Sequence, residues 1–181
     1  MTELRIRDAR ADDQDTIRDI TLSAYQEYAA VMDAHRDGSW DGYRRSILAT
    51  LATVQPAEQI VAEHDETIVG TVLLVPAGTV LTPPNGVSVT LTYPEIRLLA
   101  VSPARRGRGI GAALVRECLR RARESGAAAL TLHTTDMMRV AMGMYERMGF
   151  ARASELDFHP SPEITIKGYR YRFDPEASSP S

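Results

Sequence analysis

The stretch Val101-Ser102-Pro103-Ala104-Arg105-Arg106-Gly107-Arg108-Gly109-Ile110-Gly111-Ala112-Ala113-Leu114 decides the fold, because it joins an apolar strand to an amphipathic helix through a basic, glycine-rich turn. Ahead of the turn, Ile96, Leu98, Leu99, Ala100 and Val101 read as a strand. Behind it, Leu114, Val115, Cys118, Leu119 and Ala122 recur at helical spacing, and Arg116, Glu117, Arg120, Arg121, Arg123 and Glu124 form a solvated face. The first turn of a helix carries N–H groups without intrahelical partners and the positive end of the macrodipole, so an anion is stabilised there. Gly107, Gly109 and Gly111 let a phosphate approach the backbone, and Arg105, Arg106 and Arg108 add positive charge. The same glycines could merely shape a tight connection, but the strand before them and the helix after them favour a pyrophosphate cradle.

A nucleoside triphosphatase loop needs Gly-Lys-Ser/Thr at its end, and Ile110, Gly111 and Ala112 follow Gly109 instead. Gly107-x-Gly109-x-x-Ala112 formally satisfies the dinucleotide fingerprint. That fold puts the motif after its first strand and needs further strand-helix units beyond it. Here the turn lies past the midpoint and fewer than fifty residues follow His133, the end of the next strand.

Arg106-x-x-Gly109-x-Gly111 resembles the Gln/Arg-x-x-Gly-x-Gly/Ala signature of the GNAT superfamily of acetyl-CoA-dependent acyltransferases, and Ala141-Met142-Gly143-Met144-Tyr145-Glu146-Arg147-Met148-Gly149-Phe150 resembles its Ala-x-x-x-Tyr-x-x-x-Gly-Phe segment. The resemblance covers roughly residues 95 to 152. It implies an α/β fold with a mixed, twisted sheet of about six to seven strands and helices on both faces. It also implies acetyl-CoA as co-substrate, with pantetheine in a gap between splayed strands. The backbone of Leu99, Ala100 and Val101 would hold the pantetheine arm, and the amides of Arg106, Gly107, Arg108, Gly109, Ile110, Gly111 and Ala112 would hold the pyrophosphate. Met138 stands where the family often has an asparagine that contacts the cofactor, so that hydrogen bond is missing; Asp136, Thr134 and Thr135 are the candidates to replace it.

The reaction implied is aminolysis of a thioester, for which the resemblance supplies Glu95 as general base and Tyr145 as the acid that protonates the departing thiolate. A solvated glutamate at a strand mouth is the competing reading of Glu95. For Tyr145 it is a core aromatic, on a stripe with Val140, Ala141, Met144 and Met148. His133 either lines the cleft or packs structurally, Cys118 reads as a buried small hydrophobe, and the four histidines lack metal-ligand spacing. No metal is expected. A non-catalytic acyl-CoA sensor is the alternative class, since anion binding does not by itself establish turnover.

Composition fits an ordinary globular chain: 181 residues, 44% hydrophobic, 25% charged and a net charge of −3, which gives no general attraction to nucleic acid or anionic membrane. One cysteine, no apolar signal core and no membrane-length apolar run suit the cytoplasm. One domain over 1–173 with a disordered tail over 174–181 is expected, and a homodimer stays open. Leu4 and Ile6 start a first strand, Asp12 is placed to cap a helix buried through Ile17, Ile20 and Ala24, and a second helix runs from about Ser39 until Pro56 stops it. Gln59 to Val75 reads as a hairpin turning at Asp65-Glu66, and residues 76–94 as a proline-rich lid or acceptor wall. The last strands are expected over Phe150 to Leu156 and Ile164 to Phe173, with a bulge at Gly168. Relatives bind the acceptor near residues 28–40 and 157–162. The acidic and aromatic side chains there, Asp33, Asp37, Asp157, Tyr28, Trp40 and Phe158, suit a cationic amine on a small molecule or peptide.

Overall fold

The structure is a computed structural model that describes residues 3–33, 40–53, 57–82, 87–162 and 164–174. In chain order the elements are β1 (Arg5–Asp8), α1 (Gln14–Tyr25), α2 (Ala29–Asp33), α3 (Trp40–Thr53), β2 (Glu58–His64), β3 (Thr67–Val75), β4 (Val80–Leu81), β5 (Val89–Thr90), β6 (Glu95–Val101), α4 (Ile110–Glu124), β7 (Ala129–Thr134), α5 (Arg139–Arg147), β8 (Ala151–Arg152), β9 (Phe158–Ser161) and β10 (Ile164–Arg172). Hydrogen bonding orders the strands β1-β2-β3-β6-β7-β10-β8, and β9 pairs β10 off this path. The expected mixed sheet of six to seven strands is therefore present, with β9 as an eighth. The chain's own contacts group it into two units, Met1–Val75 with Arg97–Glu117, and Pro76–Ile96 with Cys118–Ser181.

In the first unit the β2–β3 hairpin turns at Asp65 and Glu66, as the sequence predicts, with φ of 53° and 59° at the two residues. Positive φ at both central positions is the geometry whose twist matches that of the flanking strands. Ile60, Val61, Val69, Val72 and Val75 are buried along the hairpin. α1 packs on β3 and buries Ile17, Ile20 and Ala24. Asp12 does not cap α1: the helix starts one residue beyond Asp13, whose carboxylate accepts from Arg10 N–H and from Arg7 at 2.7 Å each. Arg7 also donates to Glu63 at 2.7 Å. Hydrogen bonding from Arg7 outweighs burial and holds the Asp13 carboxyl below its ordinary range.

Gly70 is the seat of α4. A Cβ there would lie 3.0 Å from Ile110 Cγ2, 3.1 Å from Leu114 Cδ1 and 3.2 Å from the Ala100 carbonyl, tighter than ordinary van der Waals contact. The missing side chain lets the first turn of α4 rest on β3, and Ser102 N–H donates to the Val69 carbonyl at 2.9 Å to fix the end of β6.

The second unit holds β7, β10 and β8 in antiparallel pairing. Residues 76–94 contain only the two-residue strands β4 and β5 among the described ones, and 83–86 lie outside the description. The strand expected over Phe150 to Leu156 is cut to β8 by a 3-10 turn at Ser154–Leu156. No bulge occurs at Gly168, whose pairing with His133 is in continuous register; the register shift lies at Ile164/Ile166 against β9. Gly168 is glycine because the 153–157 segment crosses it: a Cβ would stand 2.4 Å from Leu156 Cβ and 2.9 Å from the Ala153 carbonyl. The tail beyond Asp174 lies outside the described residues.

Two stability outcomes follow from these contacts. Gly168→Ala forces the crossing segment outward and should destabilise the chain by about 1–3 kcal/mol, read as a lowered denaturant midpoint. Asp13→Asn should cost about 1.5–3 kcal/mol at neutral pH. Because the folded carboxyl is held below its unfolded value of about 3.9, this contribution is present above that pH and fades as pH falls through the folded value. The gap between wild type and variant in urea titrations should therefore narrow from pH 6 toward pH 3.

Candidate active site

The glycine turn expected to bind pyrophosphate lies in the first unit. β6 ends at Val101, a 3-10 turn covers Pro103–Arg105, and Gly107 and Gly109 take φ of +73° and +75°, left-handed values that L side chains resist. The Gly109 carbonyl accepts from Ala113 N–H at 3.0 Å and so opens α4. The amides of Ile110, Gly111 and Ala112 then occupy the first helical turn, where α-helical geometry gives no partner. No acidic residue lies in that turn to oppose an anion.

The three arginines do different work. The Arg106 guanidinium is held by Glu27 and by the Ala24 carbonyl at 3.1 Å, so it clamps the end of α1. Burial works against ionisation of Glu27, but its hydrogen bonds from Arg106 and Tyr28 keep its carboxyl below the ordinary value. Arg105 and Arg108 line a cavity of about 220 Å³ together with Leu4, His64, Val69 and Ile110. The Arg106 N–H, which the resemblance assigns to the pyrophosphate, donates to the Pro103 carbonyl at 3.5 Å, and the charge of its side chain is met by Glu27.

Further back on β6, Leu98 has φ of +49°, a strained value for a branched side chain. The Leu99 carbonyl accepts from the Tyr25 hydroxyl at 3.2 Å. Ala100 is buried, and Leu99 and Val101 are half-buried. Tyr25 also stands edge-on to Tyr28 and Tyr43, and Trp40 lies 6.3 Å from Tyr43, which makes an aromatic group of α1, α3 and the residues after α1. Burial pushes the Tyr28 and Tyr43 hydroxyls up to about 12, so both are neutral hydrogen-bonding groups at physiological pH. Asp37 lies outside the described residues, as does the Asp33 side chain.

The second unit gathers the titratable residues. Glu95 opens β6, and the parallel register with β7 runs Glu95↔Thr131 and Ile96↔Leu132 among the described residues. Glu95 is 3% exposed, which removes the reading of a solvated strand-mouth glutamate. Its Oε2 lies 3.2 Å from His133 Nδ1, two places beyond Thr131 on the same face of β7. Nothing in the spacing of residues 95 and 133 announces this pair; a guess at the parallel register would have found it.

Tyr145 is 6% exposed on α5. The helix ends in a C-cap that explains the Gly-Phe pair: Gly149 has φ of +99°, its N–H reaches the Glu146 carbonyl, and Phe150 N–H reaches back to Tyr145 at 3.0 Å. The same cap lays the Phe150 ring edge-on against Tyr145 at 5.8 Å, with Tyr171 next in the row. Val140, expected on the buried stripe, is 88% exposed instead. Met138 caps α5 with no side-chain hydrogen bond. Of the groups that could replace an asparagine there, Asp136 is engaged by Lys167 at 2.5 Å. The buried hydroxyls of Thr134 and Thr135 have no hydrogen-bond partner among the described residues. Cys118 is buried in α4, as expected, and no described helix is long and apolar enough to cross a membrane.

Comparison with known proteins agrees with this geometry. The chain is 36% identical over 101 residues to human N-acetyltransferase 8B, across 55% of this chain and 40% of that protein. It is 34% identical over 136 residues to mycothiol acetyltransferase of Nocardia farcinica, across 75% of this chain and 39% of that one. The chain thus matches about two fifths of the length of these relatives. A GNAT family acetyltransferase from Brucella melitensis, solved in complex with acetyl-CoA, superposes with a TM-score of 0.62 at 24% identity over 96% of this chain and 90% of that chain. The acetyltransferase (GNAT) family model matches residues 16–150, a span that contains both the glycine turn at α4 and the Tyr145 helix, and the chain belongs to that family.

Proposed function

We propose that this chain is an acetyl-CoA-dependent N-acetyltransferase that moves the acetyl group directly to an amine. The observation that carries the reading is the pair of left-handed glycines that open α4 with three first-turn amides and no acid among them, in a chain of the acetyltransferase family. Those amides would accept the coenzyme's pyrophosphate, with Arg105 and Arg108 adding screened charge. The backbone of Leu99 to Val101 would hold the pantetheine arm. The Thr134 and Thr135 hydroxyls, buried and unpaired, suit the contact that an asparagine at 138 would otherwise make.

In the chemical step Glu95 removes a proton from the acceptor ammonium, directly or through one water. The amine nitrogen forms a bond to the thioester carbonyl carbon, the carbon–sulfur bond breaks, and the Tyr145 hydroxyl supplies the proton that turns the departing thiolate into free coenzyme A. The amide product keeps the acetyl group, its nitrogen loses its second proton to solvent as the carbon–sulfur bond breaks, and solvent returns a proton to Tyr145. A phenol with an ordinary value near 10 delivers a proton to a thiolate of about 8–9 only in concert with carbon–sulfur cleavage.

A cationic amine is the acceptor class that fits the aromatic group of Tyr25, Tyr28, Trp40 and Tyr43. Mycothiol acetyltransferase, by its name, acetylates a mycothiol-related molecule. The same chemistry here would need only an unhindered amine with positive charge near it.

Acetyl-CoA at about 100 times its dissociation constant should stabilise the fold by about 2.7 kcal/mol in a thermal-shift assay, while NAD should leave the midpoint unmoved. No shift with acetyl-CoA would end this reading. Thiol release is then followed with spermidine, kanamycin and a short unblocked peptide as acceptors. Release above the hydrolysis background with any of them marks an enzyme, and none with all three marks a binding module. Tyr145→Phe keeps the ring against Phe150, so it should lower kcat by about 10² while acetyl-CoA affinity stays within a few-fold. An undiminished kcat would take the acid role from Tyr145.

A further inference from the structure

We propose that His133 is the positioning residue of the base: its Nδ1 holds Glu95 and takes up the proton that Glu95 removes from the acceptor. The proposal rests on the reading of Glu95 as the general base.

The tautomer is set by the structure around the ring. His133 Nε2 lies 2.9 Å from the Leu156 carbonyl oxygen, and a carbonyl only accepts, so Nε2 carries a hydrogen. The carbonyl is itself held in place. Leu156 ends the 3-10 turn that crosses Gly168, and Asp157 accepts from Arg152 and from Gly168 N–H at 2.8 Å each. Phe158 stands edge-on to the imidazole at 5.3 Å and limits its rotation. Nδ1 is thereby left facing Glu95 Oε2 at 3.2 Å. A neutral ring with its hydrogen on Nε2 would aim a lone pair at a carboxylate oxygen, whereas an imidazolium aims an N–H. The contact therefore calls for one proton held between Oε2 and Nδ1, and both side chains are largely withdrawn from water.

The other charged groups of this face are engaged. Arg170, in register with Thr131, pairs with Glu155 and lies over the Tyr93 ring. Lys167 pairs with Asp136, Asp157 with Arg152, and His159 Nδ1 lies 3.2 Å from the Thr165 hydroxyl. The base-competent form is the pair after it has lost one proton to solvent. It then takes one from the substrate: the nitrogen–hydrogen bond of the ammonium breaks, Glu95 passes the proton on, and a nitrogen–hydrogen bond forms at Nδ1. Two groups so close exchange protons as a unit, so the acid limb of kcat/KM belongs to the pair.

The test combines imidazole ¹⁵N NMR with pH profiles of kcat/KM, using the fastest of spermidine, kanamycin and the peptide. In wild type, the NMR midpoint of His133, assigned by its loss in His133→Gln, should coincide with the kinetic acid limb. Glu95→Gln should lower that midpoint by about one pH unit or more, a result that does not depend on any acceptor. His133→Gln should move the acid limb by at least one pH unit and cut the plateau about tenfold, with acetyl-CoA affinity within a few-fold. An unmoved midpoint in Glu95→Gln, or an acid limb in His133→Gln that superimposes on wild type, would overturn the proposal. A Glu95→Gln enzyme with full activity would instead sink the base assignment, and the role of His133 with it. A Glu95→Gln loss of 10² or more beside an unaltered His133→Gln would sink the histidine's role alone.

Discussion

The constraint on which the first unit depends is that a helix cannot satisfy the amides of its own first turn. Everything around the start of α4 keeps those amides presentable. Gly70 lets Ile110 and Leu114 settle on β3, so the helix axis is fixed by buried apolar contact. Ser102 ties the end of β6 to β3, and Gly107 and Gly109 turn the chain through left-handed backbone that any Cβ would make costly. Arg106, whose charge might have been spent on a ligand, clamps the end of α1 through Glu27 and the Ala24 carbonyl. On the proposed reading, anion recognition at this turn is a property of backbone held by packing, with side-chain charge as a minor contributor.

The second unit follows a different logic, in which burial raises the stakes for every polar group. A carboxylate as withdrawn as Glu95 is costly unless a partner meets it, and His133 is that partner. The histidine is in turn oriented by a carbonyl whose position depends on Gly168, because the segment carrying Leu156 can cross the strand only where no side chain projects. Tyr145 is set by an equally local device. The Gly149 cap folds Phe150 back onto it, so the Gly-Phe pair that marks the helix in sequence is the pair that fixes the tyrosine's ring.

What could be read from the sequence was what backbone conformation and periodicity write into it. The glycine turn, the α4 stripe and the Asp65-Glu66 hairpin all leave local marks, and all are found. The failures have one cause, which is that a distant neighbour decides. Asp12 had the right chemistry to cap α1, but Arg7 and Glu63 recruit Asp13 across the β1–β2 pair and shift the helix start. Gly168 looked like a bulge because the apolar alternation changes there, whereas the crossing of residues 153–157 demands the glycine. Val140 matched the helical period yet faces solvent, since the ring row of Tyr145, Phe150 and Tyr171 had already set which face of α5 turns inward.

This difference bears on how such a chain acquires a particular acceptor. A pyrophosphate read by amides makes few demands on side chains beyond the absence of a Cβ at Gly107 and Gly109, so residues around the turn can change without loss of the coenzyme. Arg106 illustrates the freedom, for its guanidinium serves the α1 end and its amide closes the 3-10 turn on the Pro103 carbonyl. On the proposed reading the acceptor is instead read by side chains, and the ring group of Tyr25, Tyr28, Trp40 and Tyr43 is the first unit's candidate for that. Rings can be exchanged one for another with modest cost in packing, but a buried carboxylate cannot lose its partner cheaply. If the proposed function holds, specificity is freest to vary in the aromatic group, while the buried Glu95–His133 pair is the part least able to change.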